Sequence, residues 1–307
     1  MNTKLITLAT CCLAIVNVVF PQSYFYNDRY YDKDLLYEIN LSLGAMNCLT
    51  DLGGRKGRGG GFLKDLNPQH TRLTAGIGAG FVYRYTAGLR IDLNTGTLYA
   101  NDNVLEKDAS EARYRYMRNL HFRTGIFELL AVAELFPMSL ARPSGGRSPR
   151  LSPYLSAGVG VFWFNPEASL NGIWVRLQPL RTEGQGFEEY PDRKPYSLTQ
   201  MNFPVGLGLK YELSAFFNMK LEILHRITTT DYLDDVSKTY VHHDLFRKYL
   251  NESDARLAET LHDRRGAFNP QHTATPGAIR GGRKKNDAYF SAVFKMSFVI
   301  GRERRFR

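Results

Sequence analysis

Apolar and polar positions alternate along most of this chain. From Met201 to Leu213, residues Met201, Phe203, Val205, Leu207, Leu209, Tyr211 and Leu213 are apolar, and Asn202, Pro204, Gly206, Gly208, Lys210 and Glu212 stand between them. A period of two puts successive side chains on opposite faces of a β-strand. One face is broad and oily. The other mixes glycines with charges, which suits neither a packed soluble core nor an ordinary solvent face.

Seven further segments repeat the pattern. In the first, about Tyr37–Cys48, Ile39, Leu41, Leu43 and Ala45 oppose Glu38, Asn40, Ser42 and Gly44. In the second, Arg72–Tyr85, Ala75, Ile77, Ala79, Phe81 and Tyr83 oppose Gly76, Gly78, Gly80 and Arg84. A tight turn near Thr86–Gly88 leads to a third, where Leu89, Ile91 and Leu93 oppose Arg90, Asp92 and Asn94. The fourth, about Leu120–Phe136, alternates cleanly only from Phe127 onward, which suggests a bulge or register change in its first half. The fifth covers Pro153–Asn165, the sixth is the opening segment, the seventh covers Met219–Thr229 and the eighth Asp287–Gly301. Each is near the length that spans a bilayer as a tilted strand.

The connections also have a pattern. Those at 86–88 and 214–218 are short and 137–150 is moderate, whereas 49–71, 98–118, 166–197 and 230–286 are long. Short turns at one end and long loops at the other are the habit of outer-membrane barrels, with the short turns periplasmic. An even strand count places both termini on the short-turn side. Hydrocarbon offers no water to backbone N–H and C=O groups, so a sheet within it must close on itself. The expected fold is therefore all-β: an eight-stranded antiparallel transmembrane barrel in contact with outer-membrane lipid. Its oily face points outward. Glu38, Arg90, Asp92, Glu128, Glu134, Lys210, Glu212, Lys220, Glu222, Arg226 and Lys295 share a lumen scarcely wider than their side chains and form a structural network there. The rival arrangement is a soluble periplasmic barrel with these faces exchanged. The glycines on the charged face argue against it, because a water-facing surface seldom needs Gly-x-Gly.

Composition sharpens this. The chain has 307 residues, and its 18 Tyr and 19 Phe favour strands. No internal run approaches the roughly 20 apolar residues of a membrane helix. Residues 1–23, with Lys4 before the apolar Leu5–Phe20, have the order of a secretory signal peptide. A lipoprotein box at Leu8–Cys11 and a buried N-terminal helix are the alternatives. The expected organisation is then a periplasmic segment at 24–34, the barrel at 35–301 and a basic periplasmic tail at 302–307. Removing the signal leaves Cys48 as the one cysteine, so no internal disulfide is expected. The net charge of +10 collects in Arg55, Lys56 and Arg58, in Arg280–Lys285, and in Arg302, Arg304, Arg305 and Arg307. These lie in loops and a tail rather than on one aromatic-lined face, so nucleic acid is not the expected partner. Anionic headgroups or acidic proteins are.

Candidate chemistry is sparse. Gly76, Gly78 and Gly80 lack the spacing and strand–helix setting of a dinucleotide loop, and the glycine-rich run 53–61 lacks the Gly-Lys-Ser/Thr of a phosphate loop. Asp231, Asp234 and Asp235 depart from alternating calcium-ligand spacing and are better read as Asx turns. His242, His243 and Asp244 form the one compact His/Asp cluster, with no nucleophile or third ligand beside them in the sequence. Leu245, Tyr249, Leu257 and Leu261 have helical spacing and predict a small cap over the barrel. No cofactor is implied.

Several loop segments are more particular. They are Gly172–Val175, Leu177–Leu180 and Thr182–Gly186, Arg118–Arg123, Pro153-Tyr154 with Phe164–Pro166, and Thr230–Ser237. Together, and in this order, they resemble the PorG-like outer-membrane β-barrel family of Bacteroidota, a resemblance that extends from about Tyr37 to Gly301. It implies a non-enzymatic component of the type IX secretion system that anchors a periplasmic ring of a lipoprotein and its partner. It supplies no catalytic or metal residues. Within it, Arg302, Arg304, Arg305 and Arg307 are expected to help contact an acidic partner or headgroups. A surface adhesion or ligand-binding barrel acting through its long loops is the alternative, and a barrel enzyme the third reading.

Overall fold

The computed structural model describes residues 30–53, 67–105, 113–140, 150–267, 273–282 and 286–304. The expected signal peptide, most of the segment 24–34, the glycine-rich run beyond Gly53, the side chain of Arg304, and Arg305 and Arg307 lie outside them.

Eight long strands form the wall: β1 Tyr30–Leu49, β2 Arg72–Tyr83, β3 Ala87–Asn101, β4 His121–Leu135, β5 Leu151–Trp163, β8 Thr199–Glu212, β9 Phe217–Thr228 and β10 Ala288–Arg304. Between β5 and β8 lies a small hairpin, β6 Glu167–Leu170 and β7 Ile173–Arg176. The order β3-β2-β1-β10-β9-β8-β5-β4 is antiparallel throughout, and a β3–β4 pairing closes it. First and last strands meet with Leu41 opposite Met296 and Glu38 opposite Val299. The eight alternating segments are thus the eight staves of the barrel. Four short helices stand at the ends: α1 Arg113–Arg118, α2 Pro137–Leu140, α3 Asp244–Tyr249 and α4 Glu252–His262.

Three details differ from the sequence expectation. The β2–β3 turn is made by Arg84 and Tyr85, both left-handed at φ +46° and +58°, with the Thr86 N–H donating to the Tyr83 carbonyl at 2.9 Å. This mirror-image turn matches the strand twist. Gly88 is already within β3, where its missing side chain leaves room near Glu134. No bulge interrupts β4, which pairs with β3 in one register from Ala87–Leu135 to Asn101–His121. Its alternation fades because Phe122 and Ile126 point inward into an apolar plug while His121, Arg123 and Gly125 face outward, so the usual polarity of the two faces is lost in that half. Third, the cap has two helices rather than one. Asn251 caps α4 by accepting the Asp254 N–H at 2.9 Å while its own amide donates to the Asp254 carboxylate at 2.8 Å.

The outer wall is a continuous apolar surface. Ile39, Leu41, Ile77, Ile91, Leu207, Leu221, Ile223 and Phe294 are all exposed. Aromatic residues border it. Tyr37, Phe81, Tyr83, Tyr211, Phe217 and Phe298 lie toward the short turns, and Phe127 packs on Trp163 at 5.6 Å toward the long loops. An apolar band between aromatic girdles is the lipid-facing surface of a membrane barrel. Leu207, 58% exposed, sits mid-strand between Leu155 and Ile223. Leu207→Arg is expected to destabilise the folded barrel by ~2–4 kcal/mol. Urea titration in lipid vesicles measures this, and an unchanged midpoint would count against the lipid-facing assignment.

Candidate functional site

The polar faces of the eight strands meet inside the barrel. All eleven charged residues expected in the lumen are buried there. They form chains of contacts rather than isolated pairs. Starting at the short-turn end, the Glu212 carboxylate lies 3.7 Å from Lys210, and Lys210 lies 3.7 Å from Glu38. Glu38 then meets Lys220 at 2.6 Å, and Lys220 meets Glu134 at 3.1 Å. Glu134 pairs with Arg90, which also donates to Asp92 at 2.8 Å and Glu222 at 2.7 Å. Lys295 of β10 bridges Asp92 of β3 and Glu222 of the adjacent β9 at 2.8 and 3.0 Å. Nearer the long loops, Glu128 accepts from Arg226 at 2.7 Å, Asn94 at 3.1 Å, Asn202 at 3.2 Å and the Tyr289 hydroxyl at 2.7 Å.

The glycines of β2 make this possible. Gly76, Gly78 and Gly80 pair with Asn94, Asp92 and Arg90 on β3. A side chain at any of them would collide with β3, with the Asn94 and Asp92 side-chain oxygens foremost at Gly76 and Gly78. In the same way, Gly208 leaves space for the Tyr154 ring, whose hydroxyl donates to Glu222 at 3.0 Å. What looks superficially like a nucleotide loop is clearance for a crowded lumen.

Arg302 is the lumenal residue that sequence reasoning misplaced. Strict alternation along β10 would send it outward. Gly301 adopts φ +110°, and the β1–β10 register breaks between Asp32 and Tyr37. The guanidinium consequently turns into the barrel, with its side chain only 5% exposed, and pairs with Glu212 at 3.1 Å. It also donates to the Tyr85 hydroxyl at 2.7 Å and to the carbonyls of Ser214 and Ala215. Arg302 therefore closes the short-turn end from inside and is not a free contact for a partner. The signal that could have found it was the glycine immediately before it.

With Arg302, six cations face six carboxylates in the lumen. Apolar layers fill the rest. Leu130, Val132 and Leu224 cluster within the barrel, and at its other mouth Met46, Leu98, Phe122, Phe162, Phe164 and Tyr289 belong to one core with Leu233 and Val236 of the last long loop.

Above that mouth the long loops fold into a cap with its own core, including Ala168, Leu180, Phe187, Val241, Phe246 and Ala258. The segments that carry the family resemblance tie it together. The fully buried Glu183 accepts the backbone N–H groups of Ser237 and Lys238 at 3.0 and 2.9 Å and the Arg280 guanidinium at 3.1 Å. Asp235 accepts from the hydroxyls of Thr182 and, at 2.7 Å, Tyr196. Asp234 makes an Asx turn to the Val236 N–H at 3.0 Å. The His/Asp cluster is dispersed. His242 is exposed, while His243 sits edge-on to the buried His262, with ring centroids 5.5 Å apart. The His262 Nδ1–H donates to the Thr182 carbonyl at 2.6 Å, and burial, aided by Arg280, holds its pKa well below the usual histidine range. Among the described residues, no group of three or more His, Cys, Asp or Glu is arranged to hold a metal ion.

No known family profile matches this sequence, and no curated protein does. Solved structures of similar architecture include Neisserial surface protein A, at 8% identity and TM-score 0.35, covering 87% of this chain and 98% of that one. Ail, the attachment invasion locus protein of Yersinia pestis, solved with the heparin analogue sucrose octasulfate, aligns at 8% identity and TM-score 0.38, covering 87% and 100%. The N-terminal barrel domain of Pseudomonas aeruginosa OprF aligns at 11% and 0.33, covering 88% and 100%. At these values the assignment of an eight-stranded membrane barrel rests on the chain's own closed pairing and lipid-facing belt.

Arg90 is the centre of the network. Arg90→Met leaves Asp92, Glu134 and Glu222 buried with one cation fewer, and is expected to cost ~3–5 kcal/mol. The double change Arg90→Met, Glu134→Gln should recover part of that loss. Urea midpoints of the two variants in lipid vesicles measure both effects.

Proposed function

We propose that this chain is an outer-membrane barrel that works as an anchor or scaffold, with its short turns and termini periplasmic and its cap outside the cell. The observation that carries this reading is the blocked lumen. It is closed by Arg302 at one mouth and an apolar plug at the other, with paired charges between. Among the described residues, paired charges and apolar layers fill its length, which disfavours transport and leaves the two ends for function. The proposed role is non-enzymatic.

The finer reading is a PorG-like component of type IX secretion that holds a periplasmic ring lipoprotein and its partner. It is supported by the ordered resemblance of the segments, most of which lie in the structured cap and its base, with Pro153 and Tyr154 in β5 toward the short turns. Two experiments test the proposal at different depths. Reconstituted in planar bilayers, the barrel is expected to show no steady ion conductance, and a defined open-channel current would overturn the scaffold reading. Affinity purification from cross-linked outer membranes is expected to recover the periplasmic ring subunits. Recovery of extracellular ligands alone would favour the adhesion reading instead. Removing residues 305–307, which spares Arg302, is expected to weaken ring recovery without loosening the barrel; unchanged recovery would remove the basic tail from the contact.

A further inference from the structure

The lumen balances its buried charges, whereas the seam between cap and barrel mouth does not. At that seam Arg118 is taken by Asp102 at 2.8 Å, and Arg280 by Glu183 at 3.1 Å. Asp235 has only a 3.9 Å contact with Arg280, and among the described residues Asp51, Asp231, Asp234 and Asp287 have no ion-pair partner. Each instead accepts a neutral hydrogen bond. Asp51 takes the Gly282 N–H, Asp231 the Ser237 hydroxyl at 2.7 Å, Asp234 the Val236 N–H at 3.0 Å and Asp287 the Leu233 N–H at 2.9 Å. Asp234 is fully buried, and among the described residues its Oδ2 accepts no hydrogen bond of good geometry, although the Thr50 hydroxyl lies beside the carboxyl. It borders a cavity of about 10 Å³ with His121, Arg264 and Arg280, room for about one water. An ionised carboxylate in such a place is expensive unless it is paired.

We propose that this seam is a proton-operated latch: the cap seats on the barrel mouth while the seam carboxyls hold protons, and loosens as they ionise. The contacts place the latch at the joint. Asp234 and Asp235 lie on the loop that plugs the mouth beside Leu233 and Val236, Asp51 follows β1, and Asp287 precedes β10. The charged and titratable groups facing them are Arg115 and Arg118 of α1, Asp102, His121, Glu183, Lys238, Arg264 and Arg280. Burial pushes Asp231 up to about 7 and, against the pull of Arg280, Asp235 up to about 6. Burial and neighbouring carboxylates lift Asp234 and Asp287 well above the usual range. Because these values are raised in the seated state, that state binds more protons than the open one. Seating is therefore strongest in acid and weakens as pH rises from the ordinary carboxylate range toward 7.

The proposal stands apart from the secretion reading and can fail separately. Hydrogen exchange on the full chain in lipid nanodiscs, expressed as protection factors to remove the intrinsic pH dependence, reads it directly. From pH 5.5 to 7.5, amides at 231–239 and 278–282 are expected to lose protection by roughly tenfold per pH unit for each extra proton held, while mid-barrel amides stay constant. Asp234→Asn keeps the Asx turn but has no charge to bury, so it should flatten the slope and raise protection at pH 7.5. Asp287→Asn is the second variant should the first misfold. Protection independent of pH in the unaltered protein, or an unchanged slope in the folded variants, would overturn the latch. So would full restoration at pH 7.5 by millimolar Ca²⁺ added after chelation, which would make the seam a cation site.

Discussion

The constraint beneath everything else is that hydrocarbon cannot hydrogen-bond a peptide group. Each strand must find partners on both sides, and β3 meeting β4 is what removes the last free edges. Closure then fixes the fate of the side chains. A period-two strand has only two faces, so if one meets lipid, Glu38, Arg90, Lys210 and their neighbours must share the interior. Eight strands leave an interior about as wide as the side chains within it. Charges of one sign could not coexist there. The glycines of β2 follow in turn, because two crowded faces cannot both carry side chains at the height of Asp92 and Asn94.

Burying ionised groups has two solutions, and the molecule uses both. In the lumen, every carboxylate lies beside a cation, and Arg90 alone serves three. Such pairs need not add much net stability over apolar packing, but removing one partner is severe. They therefore specify one arrangement of the strands more than they strengthen it. Among the described residues at the seam under the cap, carboxylates exceed cations and rest on backbone N–H groups and hydroxyls. The first solution neutralises each charge with a partner; the second makes proton occupancy part of the packing.

Most of the wall was legible from the alternation, because its two faces differ so sharply between Met201 and Leu213. The reading weakened where the faces stopped differing. The first half of β4 enters the apolar plug, so Phe122 and Ile126 blur the period although the strand is regular. Arg302 was placed in a tail beyond the barrel, whereas Gly301 at φ +110° resets the parity and turns it into the lumen. The β2–β3 turn was displaced toward Gly88 because Arg84 and Tyr85 occupy left-handed positions that glycine usually fills. In the last two cases the backbone, rather than hydrophobicity, decides. The eleven lumenal charges were found from parity alone, but their pairing was not, since it depends on strands far apart in sequence, as with Lys295 and Asp92.

The cap changes what the loop motifs mean. Thr182, Glu183 and Gln185 form a buried knot with Asp235, Ser237, Arg193 and Arg280. Their particular order is therefore required by folding before any binding role is invoked. Glu183 fixes the backbone of Ser237 and Lys238, and the same loop sends Leu233 and Val236 down into the barrel mouth. Cap and plug are consequently one mechanical piece. A barrel stoppered in this way fits the anchoring role proposed above.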